Sequence, residues 1–307
     1  MRAEVMTLGT PNPRQREFLA CEKKYVAFGG ARGGGKSWAV RCKAKLLALR
    51  YAGIRILLVR RSLAELEANH LAFLRQELAD VAEYRAGERQ FRFCNGSVLQ
   101  FGYCGCDRDL DRYQGAEYDV IFLDEATQLK EQWMRQIAAC VRGVNDFPKR
   151  IYYTCNPGGP GHGYIKRLFI DRRFEDGEQP EDYAFIPARV TDNTALLARQ
   201  PDYLKTLEAL PYKLRRAWLE GRWDVFAGQV FQEFTDDPDH YDDRRWTHVI
   251  RPFDVPREWN IYRSYDFGYA RPFSCGWWAV DHDGCVYRIA ELYGCTGTPD
   301  EGVLWTP

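Results

Sequence analysis

The residues with the clearest chemistry are Gly30, Ala31, Arg32, Gly33, Gly34, Gly35, Lys36 and Ser37, spaced as G-x-x-x-x-G-K-S. This is the pattern of a phosphate-binding loop, or P-loop. A triphosphate packs several negative charges into a small volume. Backbone N–H groups reach it only where no Cβ stands in the way, which explains the glycines. In this pattern Lys36 offsets charge on β/γ oxygens and the Ser37 hydroxyl ligates Mg²⁺, so the ligand expected is Mg²⁺–ATP. The plainer reading, a flexible glycine-rich loop, leaves the flanking pattern unexplained.

A second signal is Asp124-Glu125, which follows the apolar run Val120-Ile121-Phe122-Leu123. Such a run reads as a strand buried on both faces. Open α/β sheets place ligands at the carboxyl ends of their strands. Asp124 is expected to hold Mg²⁺ through water, and Glu125 to orient and deprotonate the attacking water. The alternative is a strand followed by an acidic helix cap. Further on, Thr154 and Asn156 lie at the end of the strand-like segment Lys149–Pro157, which runs into the turn-forming Pro157-Gly158-Gly159-Pro160-Gly161. Polar groups there could contact the γ-phosphate or the lytic water, and the loop beyond could move when that contact is lost. Ordinary turn chemistry is the competing reading. Upstream, Gln15 carries a donor and an acceptor that could pair with an adenine edge, or it is a surface glutamine.

These groups need elements to position them. Tyr25–Phe28 reads as a buried strand entering the loop, and residues 38–52 as a helix leaving it, with no breaker before Gly53. The helix would point the positive end of its dipole at the phosphates. Ile54–Val59 reads as a second buried strand and Leu63–Ala79 as a helix capped by Ser62. Asn95-Gly96 joins two short strands in a hairpin. Gly102–Gly115 reads as loop, Tyr183–Arg189 as a last strand, and Leu204–Leu219 as helix interrupted near Pro211. Residues 221–256 are rich in Asp, Pro, Arg and aromatics with poor periodicity, as in a linker. From Ile261 the pattern becomes an antiparallel meander, with Asp266 in its first strand. Asp266 alone reads as a strand-end or turn residue.

The 307 residues suffice for two domains. Lys+Arg and Asp+Glu both number 43, so there is no global basic signature for nucleic acid. Locally, residues 41–61 and 141–173 are rich in Arg and Lys. Each cluster alone reads as a solvated face; together they could track phosphates. No signal peptide and no run long enough to span a membrane is legible. The ten cysteines are scattered, and Cys104-x-Cys106 lacks a second pair at zinc spacing, so reduced cytosolic thiols are expected.

In this order, the segments resemble the large terminase subunit of tailed bacteriophages, an ATP-driven motor and nuclease that packages DNA into a capsid. GGARGGGKS resembles its Walker A, VIFLDEAT its Walker B with the catalytic glutamate, and YYTCNPGGPGH its coupling motif. LRRAWLEGRWDVFAGQVFQEF is similar to the segment leading into its nuclease domain, and SYDFGYARP to the first strand of that nuclease. The resemblance places Arg32 where the family often carries an arginine. It matches Asp266 to the first metal-binding aspartate of an RNase H-like site.

The resemblance implies an α/β P-loop NTPase with a mainly parallel sheet flanked by helices, plus an incomplete RNase H-like antiparallel segment. The domains implied are 1–220 (ATPase), 221–256 (linker) and 257–307 (start of the nuclease). The cofactors are ATP and Mg²⁺, with Mg²⁺ or Mn²⁺ for a complete nuclease. The partners are double-stranded DNA, the small terminase subunit, the capsid portal and further copies in a ring, in the cytoplasm of the bacterial host, with no membrane. Arg32 becomes the candidate cation in cis, and Arg142 and Arg60 the candidates in trans. The family's nuclease needs carboxylates downstream of the first, and the sequence stops at Pro307, so a truncated nuclease is expected. Two other readings stand beside this one: a helicase-like DNA translocase and an ATP-dependent assembly component without motor activity.

Overall fold

The computed structural model describes residues 9–226, 234, 236–245, 247–296 and 302–305. The chain divides into two units, residues 1–227 and 228–307. The first contains β1 (Tyr25–Gly30), β2 (Arg55–Arg60), β3 (Ala82–Arg85), β4 (Gln90–Phe93), β5 (Val98–Tyr103), β6 (Val120–Leu123), β7 (Arg150–Cys155) and β8 (Tyr183–Ala188). They form one sheet in the order β3-β4-β5-β2-β6-β7-β1-β8. From β5 to β8 every neighbouring pair is parallel, while β3 and β4 extend one edge antiparallel. The helices are α1 (Pro13–Ala20), α2 (Lys36–Arg50), α3 (Leu63–Leu66), α4 (Ala72–Glu77), α5 (Glu131–Ala138), α6 (His162–Ile165), α7 (Thr194–Arg199), α8 (Asp202–Glu208) and α9 (Tyr212–Trp218).

Strand side chains alternate between two cores. Ile56, Leu58 and Phe122 join Phe18 of α1 and Val40 and Leu47 of α2 on one face. Leu57, Val59, Ile121 and Leu123 join Trp133, Met134 and Ile137 of α5 and Ile165 of α6 on the other. With both faces covered, the central strands must be apolar at consecutive positions, and all of β6 is buried. This topology brings the carboxyl ends of β2, β6, β7 and β1 side by side along one edge of the sheet. Those ends carry Arg60, Asp124-Glu125, Thr154 to Asn156, and the glycine loop.

Several local readings are refined. The helix expected over Leu63–Ala79 ends at Glu77, and a π-helical stretch, Glu67–Leu71, widens it between α3 and α4. The segment expected to be loop over Gly102–Gly115 contains a 3₁₀ helix, Asp107–Tyr113. Helix Leu204–Leu219 is broken at Pro211, as expected, into α8 and α9. The short elements β3, α5 and α7 have no counterpart in the sequence reading.

The second unit holds an antiparallel sheet of β9 (Asn260–Asp266), β10 (Ser274–Val280) and β11 (Val286–Tyr293), with β10 in the middle. The β10–β11 turn is fixed by Asp281 Oδ1, which accepts the backbone N–H groups of Asp283 and Cys285. Part of the expected linker, residues 227–233, 235 and 246, lies outside the described residues. Among the described residues no helix is long and apolar enough to cross a membrane.

Candidate nucleotide site

The glycine loop closes β1 and opens α2. Gly33 and Gly35 both have φ +77°, a backbone region that L side chains rarely adopt. The loop is also packed from behind. A Cβ on Gly33 would stand 2.8 Å from the Tyr203 ring, and one on Gly34 would stand 2.9 Å from Ala188 Cβ. Two N–H groups of the loop are committed elsewhere: Ala31 donates to the Ala188 carbonyl and Arg32 to that of Trp218. Those of Lys36, Ser37 and Trp38 open a 15-residue helix, where no carbonyl lies four residues back within the helix to receive them. Backbone donors, glycine bends and a buried ammonium form a cradle suited to an anion.

Lys36 is only 9% exposed. Its Nζ donates to the Ala31 carbonyl at 2.5 Å and to Asn156 Oδ1 at 2.8 Å. Burial lowers its pKa, and the carboxylates of Glu125 and Asp124 partly restore it. Asn156 therefore joins the end of β7 to the phosphate loop. A cleft of about 750 Å³ is lined by Arg32, the glycines, Lys36, Ser37, Glu125 and Asn156.

Asp124 sits deeper, 1% exposed, behind the cleft wall. Its Oδ1 accepts from the Thr154 hydroxyl at 2.6 Å. Its Oδ2 takes Arg60 Nη1 at 3.1 Å and His70 Nε2 at 2.8 Å. Burial pushes the carboxyl pKa up, but His70, Arg60 and Thr154 outweigh it and hold it well below the usual carboxylate range. Glu125 is more open, with its side chain 37% exposed and Oε1 3.4 Å from Arg60 Nη2. Its φ of 50° is left-handed, a strained position for a non-glycine residue. The Glu125 N–H is held by Thr154 Oγ1 at 2.8 Å.

The expected site residues thus separate by position. Lys36, Ser37, Glu125, Asn156 and Arg32 line one cleft. Thr154 was expected against a phosphate or the lytic water. It is instead buried, with its hydroxyl donating to Asp124 and accepting from Glu125, so it braces the acidic pair. Gln15 is not a surface residue: it is 6% exposed. Its Nε2 donates to the Gly35 carbonyl at 3.0 Å, and its Oε1 caps α1 by accepting from Asn12 N. Arg60 cannot reach a neighbouring copy as expected, because it is 6% exposed and paired with Glu65, Asp124 and Glu125 of its own chain. Arg32 stacks 3.4 Å over the Trp218 ring. Arg142 stays half exposed beside Glu117. In the second unit Asp266 is exposed at the end of β9. No group of three or more His, Cys, Asp or Glu gathers there or elsewhere among the described residues to hold a metal.

Sequence reasoning missed three contributors. His70 gave no signal, because its contact with Asp124 depends on how the helix through Glu67–Leu71 packs. Asn193, which donates to the Gly33 carbonyl at 2.7 Å, lies 160 residues away from it in sequence. Arg60 was visible at the end of a strand, but not its buried role.

The sheet order, the strand–loop–helix cradle and the acidic strand end define the first unit as a P-loop NTPase fold with a mainly parallel sheet. A family model described as "Terminase large subunit, T4likevirus-type, N-terminal" matches residues 27–235, and the chain belongs to that family. No curated protein matches the sequence. Among solved structures, the large terminase from a thermophilic bacteriophage in complex with ADP matches with a TM-score of 0.58 at 18% identity, over 92% of this chain and 68% of that one. The same terminase in complex with ATP-gamma-S gives 0.55 at 16% identity, over 92% and 67%. The Thermus phage P74-26 large terminase ATPase domain gives 0.51 at 14% identity, over 70% and 94%. At such identities the likeness establishes the fold.

Proposed function

We propose that this chain is the ATP-hydrolysing motor subunit that drives viral DNA into a capsid, with the first unit binding and hydrolysing Mg²⁺–ATP. The observation that carries the reading is the convergence of Lys36, Ser37, Asn156 and Glu125 on one cleft. Similar terminases solved with ADP and with ATP-gamma-S support it.

In this reading the glycine loop and the first N–H groups of α2 receive the phosphates. Lys36 offsets β/γ charge from a buried position, where an ammonium acts more strongly than in water. Mg²⁺, when bound, would neutralise part of the phosphate charge. Ser37 and Asp124 are the groups that would hold it, Asp124 through water. Glu125, the more exposed of the acidic pair, orients the lytic water and takes its proton. Asn156 reports the state of the site to the Pro157–Gly161 turn. Thr154 keeps the acidic pair in register. Arg32 is the candidate cation in cis and Arg142 in trans, while Gln15, with both ends of its amide bonded within the chain, braces Gly35 rather than an adenine edge.

The wider assignment rests on the family: double-stranded DNA as the track, the small terminase subunit and capsid portal as partners, a ring of copies as the active form, and the bacterial host cytoplasm as the place. Residues 257–307 are assigned to the start of an RNase H-like nuclease domain, with Asp266 as one metal ligand. The test is equilibrium binding of ATP with Mg²⁺ to the 307-residue chain and to Lys36→Ala. Binding by the wild type that is lost in the variant supports the reading; equal binding by both refutes it.

A further inference from the structure

His70 and Asp124 are both almost wholly excluded from solvent, at 0% and 1% exposure. A carboxylate has two oxygens and about four lone-pair positions. On Asp124, Thr154 occupies one on Oδ1, and Arg60 and His70 occupy Oδ2. Bonds on both oxygens stop the carboxylate turning about its terminal torsion, so the remaining lone pair points in one fixed direction.

The two partners of Oδ2 are not equivalent. Arg60 is shared among Glu65, Asp124 and Glu125, at 3.3, 3.1 and 3.4 Å. His70 has the shorter bond, 2.8 Å, and its other ring nitrogen, Nδ1, is buried with no hydrogen-bond partner among the described residues. The imidazole is therefore dedicated to Asp124. It is delivered by the π-helical stretch Glu67–Leu71, and such stretches recur at functional sites. That stretch is tied in turn to the helix leaving the phosphate loop, because Arg41 of α2 donates to the Asn69 carbonyl at 2.7 Å.

We infer that His70 is a positioning residue for the metal site, fixing the one Asp124 lone pair left to receive metal-bound water. This rests on the Mg²⁺–ATP reading above. Partners in the shell outside the ligands of a metal site typically change affinity by about 10–100-fold when removed. A merely structural histidine would change stability without changing the Mg²⁺ requirement.

The experiment titrates MgCl₂ into the full chain with a fluorescent ATP analogue, for wild type, His70→Leu and His70→Gln. Binding of the same analogue in EDTA and thermal midpoints are measured alongside. The glutamine amide can reach the position of Nε2 and still donate. We expect His70→Leu to raise the half-saturating Mg²⁺ about tenfold or more. Binding in EDTA should be unchanged, and His70→Gln should recover most of the loss. If His70→Leu does not fold, His70→Gln decides: near-native Mg²⁺ dependence from a folded protein supports the role, and a large shift overturns it. Equal Mg²⁺ dependence in His70→Leu and wild type also overturns it, as does parallel loss of binding with and without Mg²⁺. A wild type showing no Mg²⁺ dependence at all would instead overturn the nucleotide reading on which the inference stands.

Discussion

Lys36 Nζ lies 2.8 Å from Asn156 Oδ1, so the phosphate loop and the end of the neighbouring strand share a direct link across 120 residues of sequence. The strands involved, β1 and β7, are parallel neighbours, with Phe28 opposite Thr154. Removing Asn156 leaves the buried ammonium with the Ala31 carbonyl alone. A hydrogen bond to a charged group contributes about 1.5–3 kcal/mol. Asn156→Ala should therefore lower kcat/KM for ATP by about tenfold to a hundredfold, a range set by that energy. Steady-state kinetics check this, and an unchanged value would remove Asn156 from the site.

Asp124 and Glu125 are adjacent in sequence but differ in setting. Asp124 is buried and bonded on both oxygens; Glu125 reaches the cleft. Glu125→Gln should keep Mg²⁺–ATP binding and lose turnover by about 10²–10⁴-fold, the usual worth of a general base. Asp124→Asn should weaken the Mg²⁺-dependent part of binding. Calorimetric titration of both variants separates the roles, and identical binding behaviour would show that the division is wrong.

Gly35 has φ +77°, and a Cβ there would run into the Gln15 amide. The left-handed conformation costs an L residue about 1–2 kcal/mol before any collision. Gly35→Ala should lower the thermal midpoint and weaken ATP binding together. Gly53→Ala is the control for φ strain: it too has positive φ, but a Cβ there meets nothing within 4 Å. Gly53→Ala should lose stability and leave ATP binding alone. Equal loss of binding in both would mean that loop packing is irrelevant.

Arg60 acts within its own chain. Breaking one partner out of a buried ion pair costs about 3–5 kcal/mol. His70 and Thr154 remain on Asp124, so Arg60→Ala should lose about 3 kcal/mol of stability, the low end of that range. Mixing Arg60→Ala with Lys36→Ala protein should restore no ATPase activity. Denaturant titration and mixing assays check both points, and recovery of turnover on mixing would return Arg60 to a role in trans.

Much of this was legible in the sequence because it is local. The glycine spacing fixes backbone angles over a few residues, and the apolar run before Asp124 announces a strand buried on both faces. Strand ends then place chemistry without any knowledge of the sheet order. The contacts that arise only when strands become neighbours were not legible. Thr154 reads as a phosphate contact until β7 is set beside β6, when its hydroxyl turns to the acidic pair. Arg60 reads as a free cation until β2 and β6 pair and bury it. His70 depends on a π-helical widening that no periodicity announces. The four-residue β3 is too brief for a periodic pattern to form.

Glu125 is assigned the activation of water against a phosphate held by Lys36. The decisive experiment is phosphate release from Mg²⁺–ATP by wild type and Glu125→Gln, with ATP binding measured on the same samples. Both proteins should bind, and only the wild type should turn over. Undiminished phosphate release by Glu125→Gln would contradict the assignment.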